Sequence, residues 1–420
     1  MTGMTEPMTS VTRHRVAITG LGVKTPAGND LDSFWSTLAT AESRAAGYTL
    51  IDASPLPVRF GCEVRDFDPV DYLGPKESRR QDRTAQLGFA AAVDASRGAG
   101  EIGADPARCA VVVGTGIGGL ATLESQIGVY LDKGAERVSP FLVPMMMANA
   151  TAGLISIQFG WTGPSLCITT ACAAGANAIG EAARLIREGS ADVVMAGGAE
   201  SSITPTAISA FARMGALSTR NDDPARASRP FDAGRDGFVM GEGAAFLVLE
   251  RWDRAVARGA VIHGELLGYG RNCDAHHITA PSPGGAGAVA CMQAALEDAG
   301  VEPSRVNHVN AHGTSTPLND AAESEAISKV FGGTTPPVTS IKGVTGHLIG
   351  AAGAAEAVAS LLSLRNGLVP PVANFETPDP EITADVVVGS PRPIGEGVAL
   401  SNSFGFGGHN ASLVLGIPAA

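Results

Sequence analysis

Two stretches of the chain share one plan, and they decide the fold that the sequence predicts. The first is CITTACAAGANAIGEAARLIREGSADVVMAGG, residues 167–198, and the second is VTSIKGVTGHLIGAAGAAEAVASLLSLRNGLVPPV, residues 338–372. Each passes from a short strand through a turn into a Gly/Ala-rich helix start, and each continues as an amphipathic helix that a glycine ends. We therefore expect two related halves, each with a strand-to-helix turn directed at a site.

The rest of the chain follows the same alternation. Apolar, β-branched runs such as HRVAITGLGV (14–23) and GVALSNSFGFGG (397–408) alternate with Ala-rich helical patterns. This alternation is typical of α/β proteins, whose strands are buried between helices. Because no linker composition separates the halves near residue 259, we expect one fused body with halves at 13–258 and 259–420, after a disordered tail at 1–12.

Composition and charge limit the classes of protein to which the chain can belong. With 45% hydrophobic and 17% charged residues the chain is globular, and its net charge of -12 argues against a nucleic-acid partner. No apolar run is long enough to span a bilayer, and the N-terminus lacks the apolar centre of a signal peptide, so a cytoplasmic location is expected. The densest basic segment is GPKESRRQDR (74–83), ordinarily interpreted as a solvated helix face.

Cys172 is the first candidate for chemistry. The six cysteines form no CxxC pair, so neither a disulfide framework nor a zinc ribbon is indicated. Cys172 lies at the expected first turn of a helix, where free N–H groups and the helix dipole favour a thiolate. Most reduced cysteines are small core residues, which suits Cys167 inside the preceding strand. The stretch by itself leaves both interpretations of Cys172 open.

Histidines in Gly- and Thr-rich loops are the second set of candidates. They are His312 in VNAHGTSTPLND (309–320), His347 in SIKGVTGHLIGAAG (340–353) and His409 in NSFGFGGHN (402–410). Two histidines in matching loops, with Lys342 five residues before the second, suggest donors aimed at an oxyanion, or a metal site. We expect no metal, because HExxH and His-x-His spacings are missing. The isolated GxGxxG match at 114–119 is better explained as a wall against an acyl group than as a nucleotide site.

Together these motifs resemble the β-ketoacyl-acyl carrier protein synthases, the condensing enzymes of fatty-acid and polyketide synthesis. TTACAAG, NAHGTSTPLND, SIKGVTGHLIGAAG and NSFGFGGHN stand in the family's order, and the resemblance runs from about Val16 to Leu415. It implies a thiolase-like α/β fold, with two similar βαβαβαββ halves stacked as five layers (αβαβα), in a dimer of like or unlike subunits. It also implies no cofactor on the enzyme, because the acyl carrier protein supplies the phosphopantetheine arm.

The resemblance assigns expected roles to individual residues. The catalytic set is the nucleophile Cys172, the decarboxylating pair His312 and His347, the organising Lys342, the orienting Glu323, and Phe406, whose N–H would share an oxyanion hole with that of Cys172. Thr314 and Thr316 would bind the pantetheine arm, and Ile117 and Phe211 would line the acyl pocket. Because acyl carrier proteins are acidic, docking is expected at Lys76, Arg79, Arg80 and Arg213.

The reaction implied is a decarboxylative Claisen condensation between an acyl-enzyme and malonyl-acyl carrier protein, which adds two carbons. A thiolase would carry a second reactive cysteine near its C-terminus, and a chain-initiating synthase would have Asn where His347 stands. His409 in place of a Thr, together with PMMMANATAG (144–153), favours a type II polyketide ketosynthase. Housekeeping fatty-acid elongation and a non-catalytic carrier-binding subunit stay open as alternatives.

Overall fold

The structure, a computed structural model, describes residues 13–418, so the predicted tail at 1–12 lies outside the described residues. The strands are β1 (Val16–Lys24), β2 (Ala46–Gly47), β3 (Phe60–Gly61), β4 (Cys109–Gly114), β5 (Ser165–Ile168), β6 (Val193–Glu200), β7 (Gly243–Arg251), β8 (Gly264–Cys273), β9 (Val306–Asn310), β10 (Val338–Thr339), β11 (Leu368–Val369), β12 (Arg392–Pro393), β13 (Val398–Gly405) and β14 (His409–Gly416). The α-helices are α1 (Leu31–Thr40), α2 (Val70–Ser78), α3 (Arg83–Ala99), α4 (Leu120–Lys133), α5 (Leu142–Met146), α6 (Ala150–Phe159), α7 (Ala174–Arg187), α8 (Pro205–Arg213), α9 (Trp252–Ala257), α10 (Ala286–Ala299), α11 (Pro317–Phe331), α12 (Lys342–Thr345) and α13 (Ala352–Asn366).

Ten strands form one mixed sheet in the order β10-β9-β13-β14-β8-β1-β7-β6-β4-β5. In the first group β4 is parallel to β5 and β6, whereas β7 is antiparallel to β6 and β1. The second group repeats this pattern, with β9 parallel to β10 and β13, and β14 antiparallel to β13 and β8. The groups join where β1 pairs with β8, at Ala17↔Glu265 and Ile18↔Gly264. The prediction of two similar halves is thus confirmed, and their boundary near residue 259 stays a prediction.

Helices pack on the strands in three layers. α3 and α6 cover the outer face of the first group, α10 and α11 cover that of the second, and α7 and α13 fill the space between the groups. Every residue of α13 from Ala352 to Leu364 is buried, as a helix in a central layer requires. The five layers αβαβα are therefore present, and the predicted fold class is confirmed.

One edge of the sheet exposes large apolar side chains, and we call this surface the apolar edge face. Leu166 lies on the edge strand β5, and Ile157 on the adjoining α6 is 77% exposed. Leu131 on α4 and Val143 on α5 continue the surface, because α5 contacts both α4 and α6. A patch of this kind is typical of a protein–protein interface. None of the described helices has the length and apolar character needed to cross a membrane.

Candidate active site

β5 delivers Cys172 to the start of α7 through one tight turn. Ala171 has φ 50°, a left-handed conformation, and the 3-10 turn Ala171–Ala173 leads directly into α7. The same sequence of strand, strained turn and helix presents the nucleophile in many hydrolases. The side chain of Cys172 is buried, and the backbone N–H of Phe406 lies beside its Sγ.

Burial raises the pKa of the Cys172 thiol to about 11, although Lys342 and the Phe406 N–H act in the opposite direction. At neutral pH the resting residue is therefore a thiol, and forming its thiolate would require a base. Burial thus acts against the thiolate that the helix start favours on sequence grounds. Cys167 is half-buried in β5, where its Sγ donates to the carbonyl oxygen of Ala148 at 3.2 Å.

His312 and His347 face one another over the thiol. Their ring centroids are 5.4 Å apart with the planes at 84°, and the Cys172 Sγ and one nitrogen of each ring lie within 4.8 Å of one another. Burial lowers the pKa of both imidazoles well below its ordinary value, and the neighbouring Lys342 lowers it further. Both rings are neutral at pH 7, so each offers one N–H donor and one acceptor nitrogen.

The same three groups have a spacing that a metal ion can use. Zinc takes cysteine and histidine ligands, and a catalytic zinc site leaves a fourth position open. Here the Lys342 Nζ lies 3.4 Å from His312 Nδ1, and its positive charge opposes a second cation at this point. The set is better suited to proton transfer and to hydrogen bonding with a developing anion.

Lys342 lies behind His312 in a buried ion pair that the sequence analysis missed. Its Nζ pairs with the carboxylate of Glu356 and donates to the backbone oxygen of His312 at 2.5 Å. The side chains of Lys342 and Glu356 are 2% and 1% exposed. The signal for Glu356 was its isolation, since it is the single charged residue in GAAGAAEAVASLLSL (350–364). A carboxylate in a buried apolar helix requires a partner.

Glu323 holds the His312 loop through its backbone. Its two carboxylate oxygens accept the N–H groups of His312 and Gly313, each at 2.8 Å. Burial raises the pKa of Glu323 to about 7, and these two bonds oppose the rise. Glu323 thus positions the loop, whereas the carboxylate that pairs with Lys342 is Glu356.

The end of β13 comes close to the backbone of Cys172. A Cβ on Gly405 would lie 3.0 Å from the Cys172 nitrogen and 2.8 Å from the Thr170 oxygen, so a side chain does not fit there. This close approach sets the Phe406 N–H beside Sγ. Backbone N–H groups in such a place can stabilise an oxyanion.

A cavity of about 550 Å³ connects these groups. Nine of the ten residues with predicted catalytic or substrate-binding roles line it, namely Cys172, His312, His347, Glu323, Phe406, Thr314, Thr316, Ile117 and Phe211. The hydroxyls of Thr314 and Thr316 are 2.8 Å apart. Further apolar lining comes from Met214, Phe238, Ile349 and Phe404, to which the sequence analysis assigned no role. Phe404 stood within the quoted NSFGFGGHN motif, two residues before Phe406.

The predicted docking residues are surface residues at two places. Lys76 and Arg79 are exposed and Arg80 is half-buried at the end of α2, while Arg213 is exposed at the end of α8. Arg213 precedes Met214 of the cavity lining. Arg83, from the same basic segment, instead pairs inward with the fully buried Glu242. The basic surface is thus smaller than the GPKESRRQDR segment suggests.

Two family models match the chain. "Beta-ketoacyl synthase, N-terminal domain" matches residues 13–255, and "Beta-ketoacyl synthase, C-terminal domain" matches residues 263–376. The 3-oxoacyl-[acyl-carrier-protein] synthase 2 of Synechocystis sp. is 48% identical over 414 residues, which cover 97% of this chain and 99% of that protein. The protein of the same name from Staphylococcus aureus is 46% identical over 407 residues, 96% and 98% of the two chains.

Solved structures match over the same extent. One described as the ishigamide ketosynthase/chain length factor superposes with a TM-score of 0.91 at 35% identity, and covers 97% of this chain and 100% of its own. A second, described as a type II PKS acyl-carrier protein in complex with its ketosynthase bound to the hexaketide, has a TM-score of 0.89 at 31% identity with the same coverage.

Proposed function

Because the chain belongs to the β-ketoacyl synthase family and is a β-ketoacyl-acyl carrier protein synthase, we propose that Cys172 carries the acyl group and that His312 and His347 generate the attacking carbanion from malonyl-acyl carrier protein. The observation that carries this proposal is the convergence of the three side chains within 4.8 Å at one cavity. The cavity accommodates an acyl chain, because its walls include Ile117 and Phe211.

The acyl chain that we propose is a fatty acyl chain. Relatives named 3-oxoacyl-[acyl-carrier-protein] synthase 2 are 43–48% identical to this chain, whereas the two ketosynthases described above are 31–35% identical. The polyketide setting that the sequence analysis favoured is the second candidate, supported by those same structures. The two settings differ in whether the chain pairs with a like or with an unlike subunit.

The first half-reaction loads Cys172. One of the neutral imidazoles takes the thiol proton as the sulfur attacks the thioester carbonyl of the acyl carrier. The carbonyl oxygen, now negative, accepts the N–H groups of Cys172 and Phe406. Removing one donor of this kind typically costs a factor of ~10²–10³ in rate. The carrier's thiolate leaves with the proton from the imidazole, and the acyl group stays on sulfur.

The second half-reaction uses the histidine pair. The N–H groups of His312 and His347 donate to the malonyl thioester oxygen, and loss of CO₂ leaves an enolate that both bonds stabilise. The carbanion attacks the acyl-Cys172 carbonyl, the Cys172 thiolate leaves, and it takes up one proton. Lys342 holds the His312 backbone during these steps through its 2.5 Å bond to the carbonyl oxygen.

The carrier protein is the partner that the basic surface fits. The chain has a net charge of -12, so an acidic carrier needs a local positive surface to approach. Lys76, Arg79 and Arg80 supply one, and Arg213 lies at the cavity side. Thr314 and Thr316 would then receive the pantetheine arm. The apolar edge face would hold a second subunit, because an exposed edge strand such as β5 pairs readily with another strand.

A reconstituted assay tests this function. The purified chain is mixed with acyl- and malonyl-acyl carrier protein, and a β-ketoacyl product two carbons longer is expected by mass spectrometry. His347→Ala is expected to acylate Cys172 but not to decarboxylate malonyl-carrier, whereas Cys172→Ala should lose acylation. An epoxy-amide acyl mimic should label Cys172 above the other five cysteines.

Two outcomes would decide against parts of the proposal. Labelling of Cys172 no stronger than that of the other cysteines would favour the non-catalytic subunit. Condensation that begins when an unlike synthase-like subunit is added, and is undetectable without it, would favour the polyketide setting.

A further inference from the structure

Glu200, the last residue of β6, is a fully buried carboxylate that the proposed reaction does not use. One of its oxygens accepts from Ser202 Oγ at 2.7 Å. The other accepts the N–H of Gly116 at 2.5 Å, the N–H of Gly350 at 3.2 Å and the hydroxyl of Thr115 at 3.3 Å. Because burying a carboxylate is costly even when it is hydrogen-bonded, a residue needed for packing alone would be apolar.

The bonds to Gly116 and Thr115 hold one wall of the acyl cavity. This wall is the segment 115–118, whose Ile117 lines the cavity. Ile117 is fixed from both sides, because the Gly116 N–H is bound by Glu200 and the Gly118 N–H donates to Thr115 Oγ1 at 3.2 Å. The position of Ile117 therefore depends on Glu200.

The bond to Gly350 holds the loop of the second histidine. In this loop the N–H of His347 donates to the carbonyl oxygen of Val239 at 2.7 Å, and three residues later the N–H of Gly350 donates to Glu200. Between them Ile349 has φ 47° and lines the cavity. A Cβ on Gly116 would lie 2.8 Å from Ile349 Cγ2, so the acyl wall and the His347 loop touch.

We propose that Glu200 is a positioning residue that couples the acyl-chain selectivity set at Ile117 to the alignment of His347. A single carboxylate oxygen binds one segment from each half of the chain, so the two segments cannot shift independently while that oxygen is present. This inference rests on the proposed function, because it assigns the acyl wall and His347 to the two half-reactions.

The experiment compares Glu200→Ala and Glu200→Gln with Thr115→Val, which alters the acyl wall alone, and with the control Ser202→Ala. Two readouts are taken: the rate of Cys172 acylation over a series of acyl chain lengths, and the kcat of malonyl decarboxylation. Glu200→Ala is expected to change the long-to-short chain preference and to lower decarboxylation, each about tenfold, since all four bonds to the carboxylate are lost, three of them from the acyl wall and the His347 loop. Glu200→Gln, which cannot serve three donors as a charged oxygen does, should change both about threefold.

Two further variants test the coupling from the acyl wall and from the other carboxylate oxygen. Thr115→Val loosens the acyl wall while the shared Glu200 oxygen stays, so coupled segments should show a changed chain preference and a lowered decarboxylation together, each smaller than in Glu200→Ala. Ser202→Ala removes the bond to the other oxygen and should leave both readouts within twofold. If Glu200→Ala does not fold, the two readouts of Glu200→Gln decide whether Glu200 has the proposed role.

Two results would overturn the role of Glu200. They are an unchanged chain preference in both Glu200 variants, or a loss that is equal at every chain length and matches the loss of folded protein. A wild-type enzyme inactive in both half-reactions contradicts the proposed function instead, so the two failures are distinguishable.

Discussion

Replacing Lys342 by methionine tests the buried ion pair behind the histidines. The change removes the cation from Glu356 and the 2.5 Å bond to the His312 carbonyl oxygen. Glu356 would then be a nearly inaccessible carboxylate without a counter-charge. Removing one partner of such a pair costs about 3–5 kcal/mol in the free energy of unfolding.

The double variant Lys342→Met/Glu356→Met separates the ion pair from simple packing. Replacing a buried pair by apolar residues of similar volume is often neutral, so the double variant should regain most of the lost stability, with a coupling energy of at least about 2 kcal/mol. Burial already raises the pKa of Glu356 in the wild type, and loss of Lys342 would raise it further. The deficit of the single variant should therefore shrink as the pH falls, because the folded carboxyl takes up a proton before the unfolded one does.

Guanidinium unfolding followed by circular dichroism measures these stabilities, with the wild type, Lys342→Met, Glu356→Met and the double variant compared at pH 7.5 and pH 5.5. Malonyl decarboxylation should be lost in Lys342→Met and in the double variant, because His312 has lost its support, while Cys172 still becomes acylated. A double variant whose destabilisation equals the sum of the two single changes would refute the reasoning, as would a Lys342→Met protein as stable as the wild type.

Three further predictions follow from burial and surface charge. Burial lowers the pKa of His308 from 6.5 to about 4, so between these values this proton binds only to the unfolded state. The contribution of His308 to the free energy of unfolding should therefore fall by about 1.4 kcal/mol per pH unit from pH 6.5 towards pH 4. In denaturant titrations the difference in stability between His308→Leu and the wild type should change with pH by that amount, and a difference that is independent of pH would contradict this. Arg79→Glu should raise KM for the carrier protein in steady-state kinetics, with an effect that weakens as salt is added, whereas the exposed Arg305→Glu should change KM by less than twofold. Leu166→Lys, on the apolar edge face, should shift the protein from dimer to monomer by light scattering, and an unchanged mass would argue against that interface.

The fold class could be predicted because it depends on local patterns that repeat. Strand and helix periods alternate in both halves, and the motifs around Cys172, His312 and His347 stand in one family's order. The meeting of the two strand-to-helix turns depends on packing between distant segments. A Cβ on Gly175 would lie 2.8 Å from the Gly350 oxygen, and one on Gly198 would lie 2.7 Å from it. No local pattern reports a contact between residues this far apart in the chain.

The sequence by itself determined the α/β class, the two related halves, the family and nine of the side chains that line the cavity. The tertiary structure decided the electrostatics of that set. Burial keeps the Cys172 thiol protonated and the imidazoles neutral, and it makes Glu356 the partner of Lys342. The folded structure also turns Arg83 inward and places Glu200 between two loops. These properties follow from desolvation and from distances across the core, both of which exist once the chain has folded.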